Sequence, residues 1–598
     1  MNKKLKKIVS AAVASAMMLT TAATSLCLTS FADDTAISAP AGKSYKITSK
    51  NVTWYESTIY NKHKAHVYFV NGTDIPYIEV NDFISVFSQL QDDNDVMDYK
   101  ISKSAKGDTY TLTRETGYSC TLDFAADTIC FEDYNEFFRT SPYMNLVDCQ
   151  YFDLRDDDGN VLFIKRSGKT KNERYGDAIT LDLGSYGIDL VHSGKGYYLP
   201  LQTVNDIFLI NSSSALLYNG KSVFLSDTEG AVFGSYKGLT ALGELYYKNS
   251  IKKFSKAFAR YNYAELCLVL DTFYGLKKQH NISSFDALLD NTGLKTELLS
   301  GNPARMEAAV YRLITGYMDD QHSSYELPGY ASDISIVPKL ENKYGYGISY
   351  ETSIGNLDTF MNARKKFYPD GVPGYEEVGD TAFITFDEFD TKLYLETVDF
   401  YTTAPDNDSS DTIGLISYSV QQILRKDSPV KNVVLDLSCN GGGAVDTAFY
   451  TIAAFLGKAT ISLEDTMTGA LVTSVYYVDT NLDKKFTSKD YLAGKGLNLY
   501  CLISDCSFSC GNLVPCMFKQ SPEASLIGQT SGGGACVVLS LSTASGTFFR
   551  TSGTTRISFM KNGSFYDVDQ GAAPDYPLSK IESFYDREKL VEYINTLL

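Results

Sequence analysis

Apolar and polar positions divide this chain into stretches of different period. From Tyr45 to about Leu225, short runs alternate apolar with polar residues between Gly, Asn and Asp clusters, which predicts strands with short helices. A faint repeat lies within it. Ile75-Pro-Tyr-Ile-Glu-Val-Asn-Asp-Phe83 resembles Tyr198-Leu-Pro-Leu-Gln-Thr-Val-Asn-Asp-Ile207. Each reads as a strand entering a helix at Val-Asn-Asp, with Asn or Asp as the cap. Strands over Ser119–Phe131 and Ala215–Leu225 follow the two copies.

From Leu239 to about Met318 the period lengthens. Leu245, Ile251, Phe254, Phe258, Tyr261, Leu266, Leu270 and Phe273 fall roughly at three- and four-residue spacings, and Met306, Ala309, Val310, Leu313, Ile314 and Tyr317 share one helical face. Pro328 and Gly329 stop this helical region. Residues 330–375, dense in Tyr, Gly and Pro, read as irregular. Strands and helices then alternate: a strand at Val378–Phe389, a helix at Thr412–Lys426, a strand at Asn432–Leu437, and a helix at about Val445–Leu456. A strand at Tyr500–Ser504, a helix at Leu513–Lys519, strands at Ala535–Leu541, Thr547–Phe549 and Ile557–Phe559, and a helix at about Arg587–Leu597 complete it. The expected organisation is a β-rich unit at 45–228, a helical cap at 239–328 and an α/β core at 376–598.

Three apolar runs of the core end in small or glycine-rich clusters: Val433–Leu437 in Ser-Cys-Asn440-Gly441-Gly442-Gly443, Leu499–Ile503 in Ser-Asp-Cys-Ser-Phe-Ser509-Cys510-Gly, and Ile527 in Gly-Gln-Thr-Ser-Gly-Gly533-Gly. Buried parallel strands read this way, and open α/β sheets bind ligands beyond the carboxyl ends of their strands.

Composition narrows the class. The 598 residues carry a net charge of −18, which argues against a nucleic-acid or anionic-membrane partner. Lys3, Lys4, Lys6 and Lys7 precede an apolar Ile8–Leu28 stretch, and Ser30-Phe31-Ala32 places small residues before Asp33. This is the layout of a secretory signal over 1–32, so the mature protein is expected outside the cell. Eleven cysteines include Cys27 in that leader, and five fall between Cys501 and Cys536 without paired C-x-x-C spacing. They read as small buried hydrophobes, and neither a metal nor a cofactor is expected. His63 and His66 read as surface residues.

Ser509 stands in the turn between an apolar strand and an apolar helix. There, free N–H groups and the helix dipole favour negative charge, which suits a nucleophile whose attack generates an oxyanion. The plainer reading is a serine that caps the helix. Context favours the nucleophile. Asp436-Leu-x-x-Asn440-Gly441-Gly442-Gly443, then Ser507-Phe-Ser509-Cys-Gly-Asn512, then Gly528-Gln-Thr-Ser-Gly532, then Gly571-Ala-Ala-Pro-Asp575 resemble, in order, the S41 serine peptidases, the tail-specific or C-terminal-processing proteases. The resemblance covers roughly 240–598 and implies a β/α core of the crotonase and Clp type beneath a helical cap. It implies Ser509 as nucleophile, and an oxyanion hole from backbone N–H groups near Gly441 and Gly442 and from Cys510. Many members carry a Lys base where this chain has Gly533. The tricorn-like branch instead draws a His from the upstream helical region, and Asp320-Gln321-His322 resembles that segment, with Asp567 or Asp569 as candidates to orient the ring. The expected protein is an exported endopeptidase without a PDZ domain, acting on polypeptides. Gly533, Asn512 and Gln321 depart from the family pattern and motivate a second reading, a scaffold that binds without cleaving. The N-terminal repeats resemble copper-amine-oxidase N-terminal-like modules, which implies a stalk or adaptor toward wall or surface proteins.

Overall fold

Val433, Val434 and Leu435 show how the central sheet is built. Successive side chains of a strand point to opposite faces. Val433 and Leu435 pack against helices Val445–Leu456, Cys510–Phe518 and Thr412–Ile423, while Val434 packs on the other side with Phe360, Phe584 and Leu590. In Asn498–Ile503 the same sorting puts Leu499, Cys501 and Ile503 on the first face and Tyr500 and Leu502 on the second. Covered on both faces, these strands have no polar alternation to show, hence their unbroken apolar sequence.

The computed structural model describes residues 44–92, 100–139, 163–167, 171–235, 237–249, 251–394 and 400–597. The leader expected at 1–32 lies outside these residues. The protein is a mixed α/β, multidomain molecule with a β-rich amino-terminal region. The six-stranded core sheet runs in the order Tyr375–Val378, Thr381–Thr385, Asn432–Asp436, Asn498–Ile503, Ala524–Gly528, Tyr576–Pro577. Every pairing from Thr381 onward is parallel. The strands Asn432–Asp436, Asn498–Ile503 and Ala524–Gly528 therefore end on one edge, and their glycine-rich and serine-rich turns meet there.

A second, antiparallel sheet is organised by one long strand. The segments expected as two strands, 547–549 and 557–559, form a single strand Phe548–Ser558. It pairs with Ser324–Leu327, Ala459–Asp465 and Cys536–Ser542. Its pairing with Ser324–Leu327 carries the end of the helical region, with His322, to the edge of the core.

Two expectations are corrected. Residues 330–375 are not irregular: they hold helices Ile336–Tyr344 and Ile348–Phe367. The longer one buries Phe360, Ala363 and Arg364 but exposes Ile348, Tyr350, Ile354, Met361 and Phe367, so no apolar stripe marks it. The β-rich unit is also not a separate spacer. Val204 and Phe208 belong to the same apolar cluster as Leu266 and Leu270 of helix Lys256–Phe273 and as Phe549 of the long strand. Strand Ile164–Arg166 even extends the second sheet by pairing with Leu471–Val478. The internal repeat has a structural counterpart. Tyr77–Glu79 and Gly196–Pro200 pair antiparallel in one seven-stranded sheet, and each leads directly into a helix. Asn205 is not a cap; it bonds both the N–H and the carbonyl of Leu216.

Candidate active site

Ser509 sits directly before helix Cys510–Phe518 with φ 55° and ψ −120°, a backbone conformation that non-glycine residues avoid. Its hydroxyl makes no capping hydrogen bond to that helix, so the plainer reading does not describe it. Both neighbours hold the conformation in place. The Ser509 N–H donates to the Gly533 carbonyl at 2.9 Å, and the Phe508 N–H to the Asn440 carbonyl at 3.0 Å. Gly442 packs on the serine so closely that an added Cβ would lie 2.7 Å from the Ser509 Cβ.

The three glycines after the Asn432–Asp436 strand do not play equal parts. Gly441 N–H donates to the Asp387 carbonyl at 3.2 Å, and Gly442 N–H to Asn440 Oδ1 at 2.9 Å. Neither expected donor is therefore available to a reacting oxygen. The N–H groups of Gly443 and Cys510 have no hydrogen-bond partner among the described residues, and both residues line a pocket with Ser509. Of the N–H groups expected to face an oxyanion, those of Gly441 and Gly442 are thus engaged, and those left open beside Ser509 are Gly443 and Cys510. Val445, Leu513, Val537, Val538, Ile557 and Val568 bring apolar side chains to the pocket lining.

Gly533, where a lysine base would stand, has φ +83°, and a Cβ there would meet the Asp569 carbonyl at 2.0 Å. The fold excludes any side chain at this position. Asn512 is fully buried and ties the helix to two segments: its Nδ2 donates to the Val568 carbonyl at 2.9 Å, and its Oδ1 accepts from the Ser531 hydroxyl at 2.7 Å.

His322 is brought to this site. Its ring packs on Phe508, the residue before Ser509, with centroids 4.7 Å apart. Among the described residues no hydrogen bond joins the ring to Ser509; catalytic contacts of this kind often tighten only around substrate. Burial holds the imidazole below its ordinary pKa, and the charges of Asp320 and Asp569 oppose that shift. Asp320, which the sequence marked only as a neighbour of the histidine, anchors the turn. Its Oδ1 accepts from the His322 N–H at 3.0 Å and the Ser552 hydroxyl at 2.8 Å. Its Oδ2 accepts from the Tyr274 hydroxyl at 2.9 Å and the Ser323 hydroxyl at 2.6 Å. An Asp two residues before a His, in a turn that leads into a strand, was the signal available for it.

The two orienting candidates separate. Asp567 is ion-paired with Arg556 at 2.6 Å and half-exposed. Asp569 accepts from the Ala535 N–H at 3.0 Å and acts electrostatically on His322. Of the residues expected in the site, Ser509, Cys510, His322 and Asp569 come together, and Asp567, Gly441 and Gly442 are engaged elsewhere.

No curated protein sequence matches the chain. Among solved structures, a lipoprotein from Streptococcus agalactiae superposes with TM-score 0.34 at 14% identity, covering 59% of this chain and 100% of its own. Mature CPAF complexed with lactacystin gives TM-score 0.36 at 11% identity over 59% of this chain and 98% of its own. The tricorn protease gives 0.29 at 11% identity over 83% of this chain and 46% of its own. Residues 405–578, which hold the glycine turn, Ser509 and Asp569, match the family model of Peptidase family S41.

Proposed function

We propose that this protein is an exported serine-type endopeptidase that hydrolyses polypeptides through an acyl-enzyme on Ser509, with His322 as the base. The observation that carries this reading is the state of Ser509. It is held in a strained backbone conformation at a helix N-terminus, uncapped, between two unengaged N–H groups and over an apolar pocket. Strain of this kind persists only where the surroundings enforce it. The Ser509 hydroxyl attacks the scissile carbonyl as His322 takes its proton. Gly443 and Cys510 N–H groups receive the oxyanion, and His322 returns the proton to the leaving amine. Water then repeats the sequence to release the acid. The pocket wall suits an apolar side chain next to the cleaved bond. The amino-terminal sheet, sharing a core with the catalytic region, would present this site toward wall or surface partners.

A fluorophosphonate probe is expected to label Ser509, located by mass spectrometry of the digested adduct. Absence of adduct on folded protein would sink this reading and favour a scaffold that binds without cleaving.

The pH profile should report the base. His322 must be neutral to accept a proton, and burial lowers its pKa, so the acid limb of kcat/KM is expected below the ordinary imidazole value of about 6.5. Asp569→Asn removes a charge that favours imidazolium, so the limb should move to still lower pH while kcat falls. Asp567→Asn should leave the limb in place. A limb shifted by Asp567→Asn and not by Asp569→Asn would reverse the assignment.

A further inference from the structure

The connection that leaves strand Leu471–Val478 reads Asp479-Thr-Asn481-Leu-Asp483-Lys-Lys485-Phe-Thr487-Ser-Lys-Asp490. Oxygen-bearing side chains recur at the first, third, fifth, ninth and twelfth positions. That spacing is the one by which a twelve-residue helix–loop–helix calcium loop surrounds its ion, with the seventh residue giving a main-chain carbonyl. The sixth position of such loops needs a backbone turned to positive φ and is ordinarily Gly. Here it is Lys484, and its φ is +60°.

The decisive observation is Asp479. It is fully buried, and its Oδ1 has no hydrogen-bond partner. Its Oδ2 accepts from the Lys484 N–H at 2.8 Å across the loop, which turns the carboxylate inward. A buried carboxylate oxygen without a partner is costly unless a proton or a cation meets it. Asp483 and Asp490 bring two further carboxylates to the same twelve residues. The Lys484 ammonium is directed over the Tyr401 ring, 4.9 Å from the centroid.

We propose that residues 479–490 form a calcium site, with oxygen ligands from Asp479, Asn481, Asp483, the Lys485 carbonyl and Asp490, and with Thr487 reached through water. Among the described residues no three His, Cys, Asp or Glu side chains already converge on a metal position. In this loop two of the ligands are an amide and a main-chain carbonyl. Asp490 is turned to its own loop, accepting from Asn481 Nδ2 at 2.6 Å and the Thr487 N–H at 2.7 Å. Ion binding exchanges the Asn481 contact for a shared cation and draws the loop closed. One contact leads from the site toward Ser509: the Asp479 carbonyl accepts from the Tyr450 hydroxyl at 3.1 Å, on the helix whose first residue, Val445, lines the pocket beside the serine.

The test is calorimetric titration of the chelator-treated full chain with CaCl2, alongside thermal scans in CaCl2 and in EDTA. One saturable equivalent and a Tm about 5 °C higher in CaCl2 are expected. Asp483 is exposed, so Asp483→Asn should fold normally and bind calcium at least about tenfold more weakly. Asp406→Asn, in an acidic loop elsewhere, should bind as the parent does. No saturable heat with coincident Tm values, or unchanged affinity in Asp483→Asn, would overturn the site. An equal Tm shift from MgCl2 would overturn its assignment to calcium.

Discussion

Ser509→Ala is expected to lower kcat/KM on an unfolded polypeptide by about 10⁴-fold or more, because the loss of a nucleophile removes the covalent route and leaves only the oxyanion donors and binding. Stability should move the other way in a companion variant. Ser509 holds φ 55° and ψ −120°, a conformation glycine adopts without strain. Ser509→Gly should therefore be as inactive as Ser509→Ala yet gain about 1 kcal/mol, read as a raised denaturation midpoint. A Ser509→Ala variant that turns over substrate at the parental rate would remove the nucleophile from the mechanism. A Ser509→Gly variant less stable than Ser509→Ala would mean that the conformation is not strained.

The largest expected loss of stability lies just upstream of the site. Asp436 ends the central strand and is 1% exposed, and its Oδ2 accepts from Arg587, itself nearly inaccessible, at 2.7 Å. Its Oδ1 accepts from the Ser438 N–H and hydroxyl at 3.0 and 2.7 Å, which begins the turn leading to Gly443. Truncating Asp436 leaves the buried Arg587 with only its longer ion pair to Glu376, at 3.3 Å. Asp436→Ala should thus cost about 3–5 kcal/mol in denaturant unfolding. It should also reduce activity, since the glycine turn loses its anchor. Replacing both partners together, Asp436→Leu with Arg587→Met, should recover much of the stability but not the activity. If the single variant unfolds at the parental midpoint, the pair is not holding the strand end.

Much of this arrangement was legible in the sequence, and the reasons are local. The apolar runs of 433–437 and 499–503 announced strands because a sheet covered on both faces leaves no polar positions. The spacing of Leu266, Leu270 and Phe273 announced a helix, although the helix is buried on every side from Tyr261 to Leu270. Helix Ile348–Phe367 stayed hidden because it leaves large apolar residues in solvent. The roles of Gly441, Gly442 and Gly443 could not be separated from three identical letters. They are set by which carbonyls take their N–H groups, and one of these, Asp387, comes from a different segment. Asp567 and Asp569 were equivalent in sequence for the same reason, until Arg556 claimed the first.

The long strand Phe548–Ser558 has a consequence for how the protein is made. Ser509 leaves the ribosome before this strand, yet the pairing of Ser324–Leu327 with it holds the turn that packs His322 on Phe508, the residue before the serine. Pairings this distant in sequence form late, after long loops have closed. A growing chain therefore carries a serine and a histidine that cannot yet meet. On the proposed function, hydrolytic competence would arrive only after residues 548–569 have been added and docked, and the order of synthesis alone would spare the peptide bonds of the nascent chain.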